Sequence, residues 1–194
     1  MDKRIKESGL GRRFWSRNFQ NIEKRGVPKQ VEQQYQLVRN YAANLPENIR
    51  EGNGLLLLGP VGTLKTSLAS AVLLTHLYTG GTGLFITMSS LLDTIFTLKS
   101  TNMDEWAKFE YKLRNAPILV IDDLGAEHTE GWVKTKVDSI ISERYNSMLP
   151  IIITTNLTGE QLKNTYAERI IDRIRSTAEQ VIFSGDSLRE RKGA

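Results

Sequence analysis

A purely apolar run, Leu55-Leu56-Leu57-Leu58, passes directly into Gly59-Pro60-Val61-Gly62-Thr63-Leu64-Lys65-Thr66-Ser67, and a helical stretch follows. A buried strand that turns tightly through glycines into the first turn of a helix points a row of backbone N–H groups outward. Such a row cradles phosphate oxygens, helped by the positive end of the helix dipole. In this pattern Lys65 reaches the β/γ-phosphates of a nucleoside triphosphate, and the Thr66 hydroxyl is a Mg²⁺ ligand. Gly59, Pro60, Val61, Gly62, Thr63, Leu64, Lys65, Thr66 and Ser67 are therefore candidate nucleotide-binding residues. One position departs from the pattern G-x-x-x-x-G-K-S/T: its second glycine is Leu64 here.

Strand-like and helix-like segments alternate along the chain. Residues 1–13 read as disordered, and basic and aromatic residues then interleave in Arg13-Phe14-Trp15-Ser16-Arg17-Asn18-Phe19. Those aromatics can pack an N-terminal arm onto the core, stack on DNA bases, or lie beside an adenine. Helical spacing is expected over 29–43, and a polar loop from Pro46 to Gly54. Strands are expected at 55–58, 84–88, 118–121, 151–155 and 180–183. Helices are expected at 65–78, 89–99, 104–114, about 132–148 and about 159–176. In the 132–148 helix Val133, Val137, Ile140, Ile141, Tyr145 and Met148 fall on one face. Near-continuous apolar strands separated by helices imply an α/β fold with a parallel sheet covered on both faces.

Asp122 and Asp123 directly follow the apolar run Ile118-Leu119-Val120-Ile121. Paired carboxylates at the end of a buried strand are costly unless they serve a cation or a water. Beside a phosphate loop, Asp122 can orient Mg²⁺ and its waters, and Asp123 can polarise the attacking water. Asp122 could instead simply cap the next segment. Asn156 ends Ile151-Ile152-Ile153-Thr154-Thr155-Asn156, where an amide can hold a water near the γ-phosphate or terminate the strand. Arg169 and Arg173 stand i, i+4 on one helix face, with Arg175 nearby. An arginine offered across a subunit interface can stabilise a transferring phosphoryl group. Pairing with Glu168 or Asp172 is the plainer alternative.

Composition narrows the field. The 194 residues suit one domain, with 40% hydrophobic and 25% charged residues. Cysteine is absent and only His76 and His128 are histidines, which excludes disulfides and His/Cys-rich zinc sites. No apolar run approaches the roughly 20 residues of a membrane span, so the protein reads as cytoplasmic with no membrane partner. Net charge is +4, with nine Lys/Arg against three acidic residues in positions 1–30. That leaves +6 on the arm and −2 on the rest, a distribution that suits nucleic acid phosphates or a solvated tail.

Taken together, Arg13–Phe19, Gly59–Ser67, Ile118–Gly125, Ile151–Asn156, Glu168–Arg175 and Gly185-Asp186-Ser187-Leu188-Arg189 resemble the AAA+ ATPases of the DnaC/DnaI helicase-loader and IstB group. The resemblance covers roughly residues 12–190. It implies a three-layer αβα P-loop (AAA+) core with a five-stranded parallel sheet in the order 5-1-4-3-2. The implied layout is a basic, partly disordered N-terminal arm over 1–28, then an ATPase domain over 29–190 without a helical lid. It further implies ATP and Mg²⁺ as cofactors, with Thr66 and Asp122 at the metal. By resemblance Asp123, Asn156 and Arg173 are catalytic, Asn156 as sensor 1 and Arg173 as arginine finger, while Arg189 is similar to a sensor-2 arginine. Residues 89–114 stand where initiator-type members carry a helical element facing single-stranded DNA.

The partners implied are a replicative helicase, single-stranded DNA and further copies of the chain. The function implied is helicase loading in DNA replication. The alternatives are an IstB-like transposition helper or a nucleotide-independent scaffold with a degenerate loop. Leu64 stands where a missing Cβ lets the backbone approach phosphates. It would clash, reshape the loop, or be accommodated at negative φ. Loaders of the group usually carry an N-terminal helicase-gripping domain, where only a basic stub is expected here.

Overall fold

The computed structural model describes residues 3–125 and 131–189. His128 and position 190 of the expected domain lie outside the described residues. Five strands form one sheet: β1 (Gly54–Leu58), β2 (Leu84–Thr87), β3 (Leu119–Asp122), β4 (Ile151–Thr155) and β5 (Ala178–Ile182). Their order is β2-β3-β4-β1-β5 and every pairing is parallel, the expected 5-1-4-3-2 sheet read from its other edge. The helices are α1 (Lys3–Glu7), α2 (Phe19–Lys24), α3 (Glu32–Ala43), α4 (Leu45–Glu51), α5 (Lys65–Tyr78), α6 (Met88–Thr101), α7 (Met103–Asn115), α8 (Gly131–Asn146), α9 (Gly159–Thr165) and α10 (Glu168–Thr177).

Period-2 alternation along the strands divides the interior into two cores. Leu55, Leu57, Val120, Ile152 and Val181 join α3, α5 and the N-terminal segment on one face. Leu56, Leu58, Leu119, Ile121 and Ile153 join residues of α6 to α10 on the other. Both faces are therefore covered, which explains the unbroken apolar runs over 55–58, 119–121 and 151–153 in the three central strands, whereas the edge strand β5 exposes Glu179, Gln180 and Ile182. Each fully buried Leu or Ile contributes about 2 kcal/mol.

The N-terminal segment departs from expectation. From Lys3 onward it is ordered against the core, with Ile5 and Leu10 buried. The N–H of Phe85 in β2 donates to the Ser8 carbonyl at 2.6 Å, and the Trp15 indole donates to the Leu10 carbonyl at 2.7 Å. Phe19 and Ile22 are buried, and the Phe14 ring stacks on Phe85 at 6.2 Å. Apolar residues at 5, 10, 14, 15, 19 and 22 bury enough surface to offset the ordering entropy, while Lys6, Arg12 and Arg13 stay exposed.

Three further segments differ. The expected loop after Pro46 is α4: Pro46 sits in its first turn, where no N–H is required, and Gly52 ends it at φ 74°. The 159–176 helix is two helices, parted at Tyr166 and Ala167, whose backbones are extended. On α8 the buried face holds Val133, Val137, Ile140 and Ile141, but Tyr145 is exposed, and the helix ends at Asn146, before the exposed Met148. Arg144 turns inward instead. Its guanidinium donates to the carbonyls of Leu113 (3.0 Å), Arg114 (3.2 Å) and Pro150 (2.8 Å), so it supplies donors to the C-terminal end of α7. Burial pushes its pKa down to about 9.

Candidate nucleotide-binding site

β1, β3 and β4 lie side by side, and their C-terminal ends deliver the site: the loop from Gly59, then Asp122 and Asp123, then Asn156. Ligands of open parallel sheets collect at this end. The loop turns through Gly59 (φ 144°) and Gly62 (φ 86°) and is closed by the Thr63 hydroxyl on the Pro60 carbonyl at 2.8 Å. α5 then starts at Lys65 with Leu64 as its N-cap.

Leu64 keeps the glycine-like conformation, φ 71° and ψ 1°. It is neither at negative φ nor associated with a shifted helix start. Left-handed backbone costs a residue with a Cβ about 1–2 kcal/mol. The half-buried side chain packs against the core on the α3–α5 face, and this burial offsets part of that cost.

Lys65 is buried, and its ammonium makes three bonds: to the carbonyls of Gly59 and Pro60, both at 2.7 Å, and to Oδ1 of Asn156 at 2.9 Å. Burial lowers its pKa, Asp123 and Asp122 oppose that, and the nearby charge of Arg189 adds to the lowering. The Asn156 amide in turn donates to Oδ1 of Asp123 at 3.1 Å. Asp123 sits at φ 58°, a left-handed position that Asp tolerates better than most residues, and its N–H donates to the Thr154 hydroxyl at 3.0 Å.

The same Thr154 hydroxyl donates to Oδ1 of Asp122 at 2.6 Å. Asp122 is buried, and burial raises its pKa. Thr154 opposes the rise, Asp123 adds to it, and the Thr66 hydroxyl and Lys65 oppose it. Thr66 and Asp122 therefore face one another with hard oxygen donors, which fits Mg²⁺ with the rest of its shell from phosphate and water. Among the described residues no cluster of three or more His, Asp or Glu could hold a metal. An ion at Thr66 and Asp122 would thus be shared with the nucleotide.

The chain after β5 runs across the loop. Phe183 donates its N–H to the Leu58 carbonyl at 2.7 Å, and Leu188 donates its N–H to the Gly62 carbonyl at 3.0 Å. A Cβ on Gly62 would strike the Ser187 side chain, and one on Gly59 would strike the Phe183 carbonyl. Gln30 holds the Asp186 carbonyl at 2.8 Å and Gln34 the Ile182 carbonyl at 2.9 Å. This strap carries Arg189 to the neighbourhood of Lys65.

The structure thus gathers Gly59–Ser67, Asp122, Asp123, Asn156 and Arg189. It does not bring Arg173 to them. Arg173 shares a cavity with Gly52, Ile151, Thr177 and Ala178, next to the starts of β1, β4 and β5, at the end of the sheet opposite the loop. Thr154 was missed as a site residue. Its signal was a hydroxyl in the middle of an apolar strand one residue before Thr155-Asn156. Ser187 and Leu188 stood in the 185–189 stretch that carries the resemblance, but nothing in the sequence placed them against Gly62.

This sheet order, with a phosphate loop after β1, paired carboxylates after β3 and a polar residue after β4, defines a P-loop ATPase of the AAA+ class. Residues 29–194 match the profile of the IstB-like ATP binding protein family, and the chain belongs to that family. It is similar to the replicative helicase loader DnaC of Escherichia coli (strain K12), 27% identical over 195 residues, covering 98% of this chain and 76% of that protein. A crystal structure of the DnaC helicase loader superposes with a TM-score of 0.76 at 30% identity, over 90% of this chain and 100% of that one. A Mycobacterium tuberculosis protein, named for ATP binding in an insertion sequence, is 26% identical over 147 residues, covering 73% of this chain and 57% of its own length. No helix among the described residues is long and apolar enough to cross a membrane.

Proposed function

We propose that the chain is a Mg²⁺-dependent ATPase that helps load a replicative helicase onto single-stranded DNA. The observation that carries the ATPase half is the chain of contacts Lys65–Asn156–Asp123 beside Thr66–Asp122. It couples a phosphate-binding cation to the amide and carboxylate suited to a hydrolytic water, with oxygen donors for the metal alongside. The loader half is supported by the likeness to DnaC along nearly the whole chain.

In this reading Arg189 approaches the phosphates from the strap, and Arg173 of a neighbouring copy completes the site. The α6–α7 hairpin is the single-stranded DNA surface. It exposes Phe96, Met103 and Tyr111, and aromatic side chains are the usual stacking partners of unpaired bases. A second reading, a helper ATPase for a transposase, is favoured by the family match and by the insertion-sequence relative.

The test mixes the purified chain with its cognate replicative helicase and a single-stranded DNA circle, with ATP and Mg²⁺. Helicase transfer onto the circle, lost with Lys65→Ala, supports loading. No transfer, together with ATP-dependent association with a transposase, turns the assignment to the helper. Equal partner binding by wild type and Lys65→Ala, without ATP binding by either, turns it to a nucleotide-independent scaffold.

A further inference from the structure

One carboxylate on α8 holds two arginines of α10. Asp138 is buried, and Arg169 and Arg173 lie one turn apart on the facing helix. Arg169 donates to Oδ2 of Asp138, and the Arg173 Nη1 lies 3.6 Å from Oδ1. Ser142, one turn along α8, completes the arrangement. Its hydroxyl donates to Oδ1 of Asp138 at 3.0 Å and accepts from Nη1 of Arg173. The Arg173 guanidinium also stands over the Tyr145 ring, 5.8 Å from its centroid. Among the described residues, the side-chain hydrogen bond and ion pair of Arg173 both run through Nη1, so one corner of the fork is fixed and the rest of it is left for another partner.

A lone arginine on a half-exposed helix face samples many rotamers. A charge in contact with a transferring phosphoryl group is useful only when its direction is set in advance. The geometry points to Asp138, acting with Ser142, as the positioning residue for Arg173: it orients the guanidinium so that its remaining N–H donors project from the α8–α10 face toward the nucleotide of a second copy of the chain. The inference rests on the reading of Arg173 as a residue acting in trans. Arg169 takes the outer oxygen and keeps the carboxylate turned so that Oδ1 faces Ser142 and Arg173. Val137, Ile141, Ile170 and Ile174 pack in the buried core beneath this polar group.

The experiment compares steady-state ATP hydrolysis by wild type, Asp138→Ala, Asp138→Asn, Ser142→Ala and Arg173→Ala, each at protein concentrations that saturate assembly. Thermal unfolding serves as the folding control. Asp138→Ala is expected to lower kcat about 100-fold, the scale of a misdirected catalytic group, with KM for ATP unchanged. Asp138→Asn, which retains an acceptor for Ser142 and Arg173, should recover most of the loss. Asp138→Ala added to Arg173→Ala should cost nothing more, because both act through the same guanidinium. Mixing Asp138→Ala with Asp123→Ala should restore turnover, since the first supplies an intact site and the second an intact Arg173.

If mixing rescues Arg173→Ala but Asp138→Ala alone turns over normally, or if the two losses add, Asp138 does not position Arg173 and the proposal is overturned while the reading in trans stands. If Arg173→Ala keeps wild-type turnover, or is not rescued by Asp123→Ala, the reading in trans fails and takes this proposal with it.

Discussion

The ammonium of Lys65 lies 2.9 Å from Oδ1 of Asn156, so the loop after β1 and the tip of β4 are joined by one hydrogen bond. The other donors of the same ammonium hold the carbonyls of Gly59 and Pro60. In the proposed ATPase a bound triphosphate would draw Lys65 away from these oxygens, and Asn156 would lose its ammonium partner.

Replacing Lys65 by Ala removes the cation at the heart of this exchange. Affinity for Mg²⁺-ATP should fall about 100-fold or more, in line with the loss of charge-assisted bonds to phosphate. Calorimetric titration measures it. Undiminished affinity would refute the phosphate-loop reading.

Leu64 should be replaceable according to backbone, not polarity. At φ 71°, Leu64→Val brings β-branching into left-handed backbone and is expected to destabilise the fold by about 1–2 kcal/mol. Leu64→Gly removes the strain but also the apolar side chain and adds unfolded-state entropy, so its net effect should be within about 1 kcal/mol of zero. Mg²⁺-ATP binding by both wild type and Leu64→Gly is expected, because the wild-type loop already holds the glycine conformation. Chemical denaturation and nucleotide titration check the series.

The raised pKa of Asp122 gives a pH signature. A carboxyl whose pKa is higher folded than unfolded is a liability once it ionises. The liability is complete above the folded pKa and fades as pH falls through that value toward the ordinary carboxylate range. Asp122→Asn should therefore melt higher than wild type at neutral pH, and the gap should narrow as pH drops toward about 4. A gap independent of pH would mean that the charge is not its source. Hydrolysis by this variant should be lost.

Gly62 is doubly constrained, by its φ of 86° and by Ser187 pressing where a Cβ would stand. Gly62→Ala should cost about 2–3 kcal/mol of stability. Adding Ser187→Gly should return only the part due to the clash, leaving the backbone strain. Full recovery in the double variant would show that φ is not strained there. Urea unfolding of both variants decides.

The strands, the helix over 65–78 and the grouping of Lys65, Asp122, Asp123 and Asn156 were legible because each rests on local pattern, whereas the strand order followed only from the resemblance to the AAA+ ATPases. Apolar runs mark the buried strands, and the polar residue that ends each run falls at the same edge of the sheet. What escaped depends on distant pairs. Ser187 meets Gly62 across 125 positions, and Gln30 meets Asp186 across 156. Nothing near Arg144 in sequence says that it turns inward to the carbonyls of Leu113 and Pro150. The order of the first residues was hidden by their charge, since basic side chains outnumber the few apolar ones that anchor them.

That anchoring has a consequence for handling the protein. β2 is an edge strand, and the Ser8 carbonyl occupies its Phe85 N–H while the Phe14 ring rests on the Phe85 ring. A chain shortened to begin at α2 would bare an aromatic-bearing strand margin with an idle donor, the kind of seam along which separate sheets zip into aggregates. The basic leading residues thus double as a cover against clumping, and trimming them for convenience would trade a tail for a precipitate.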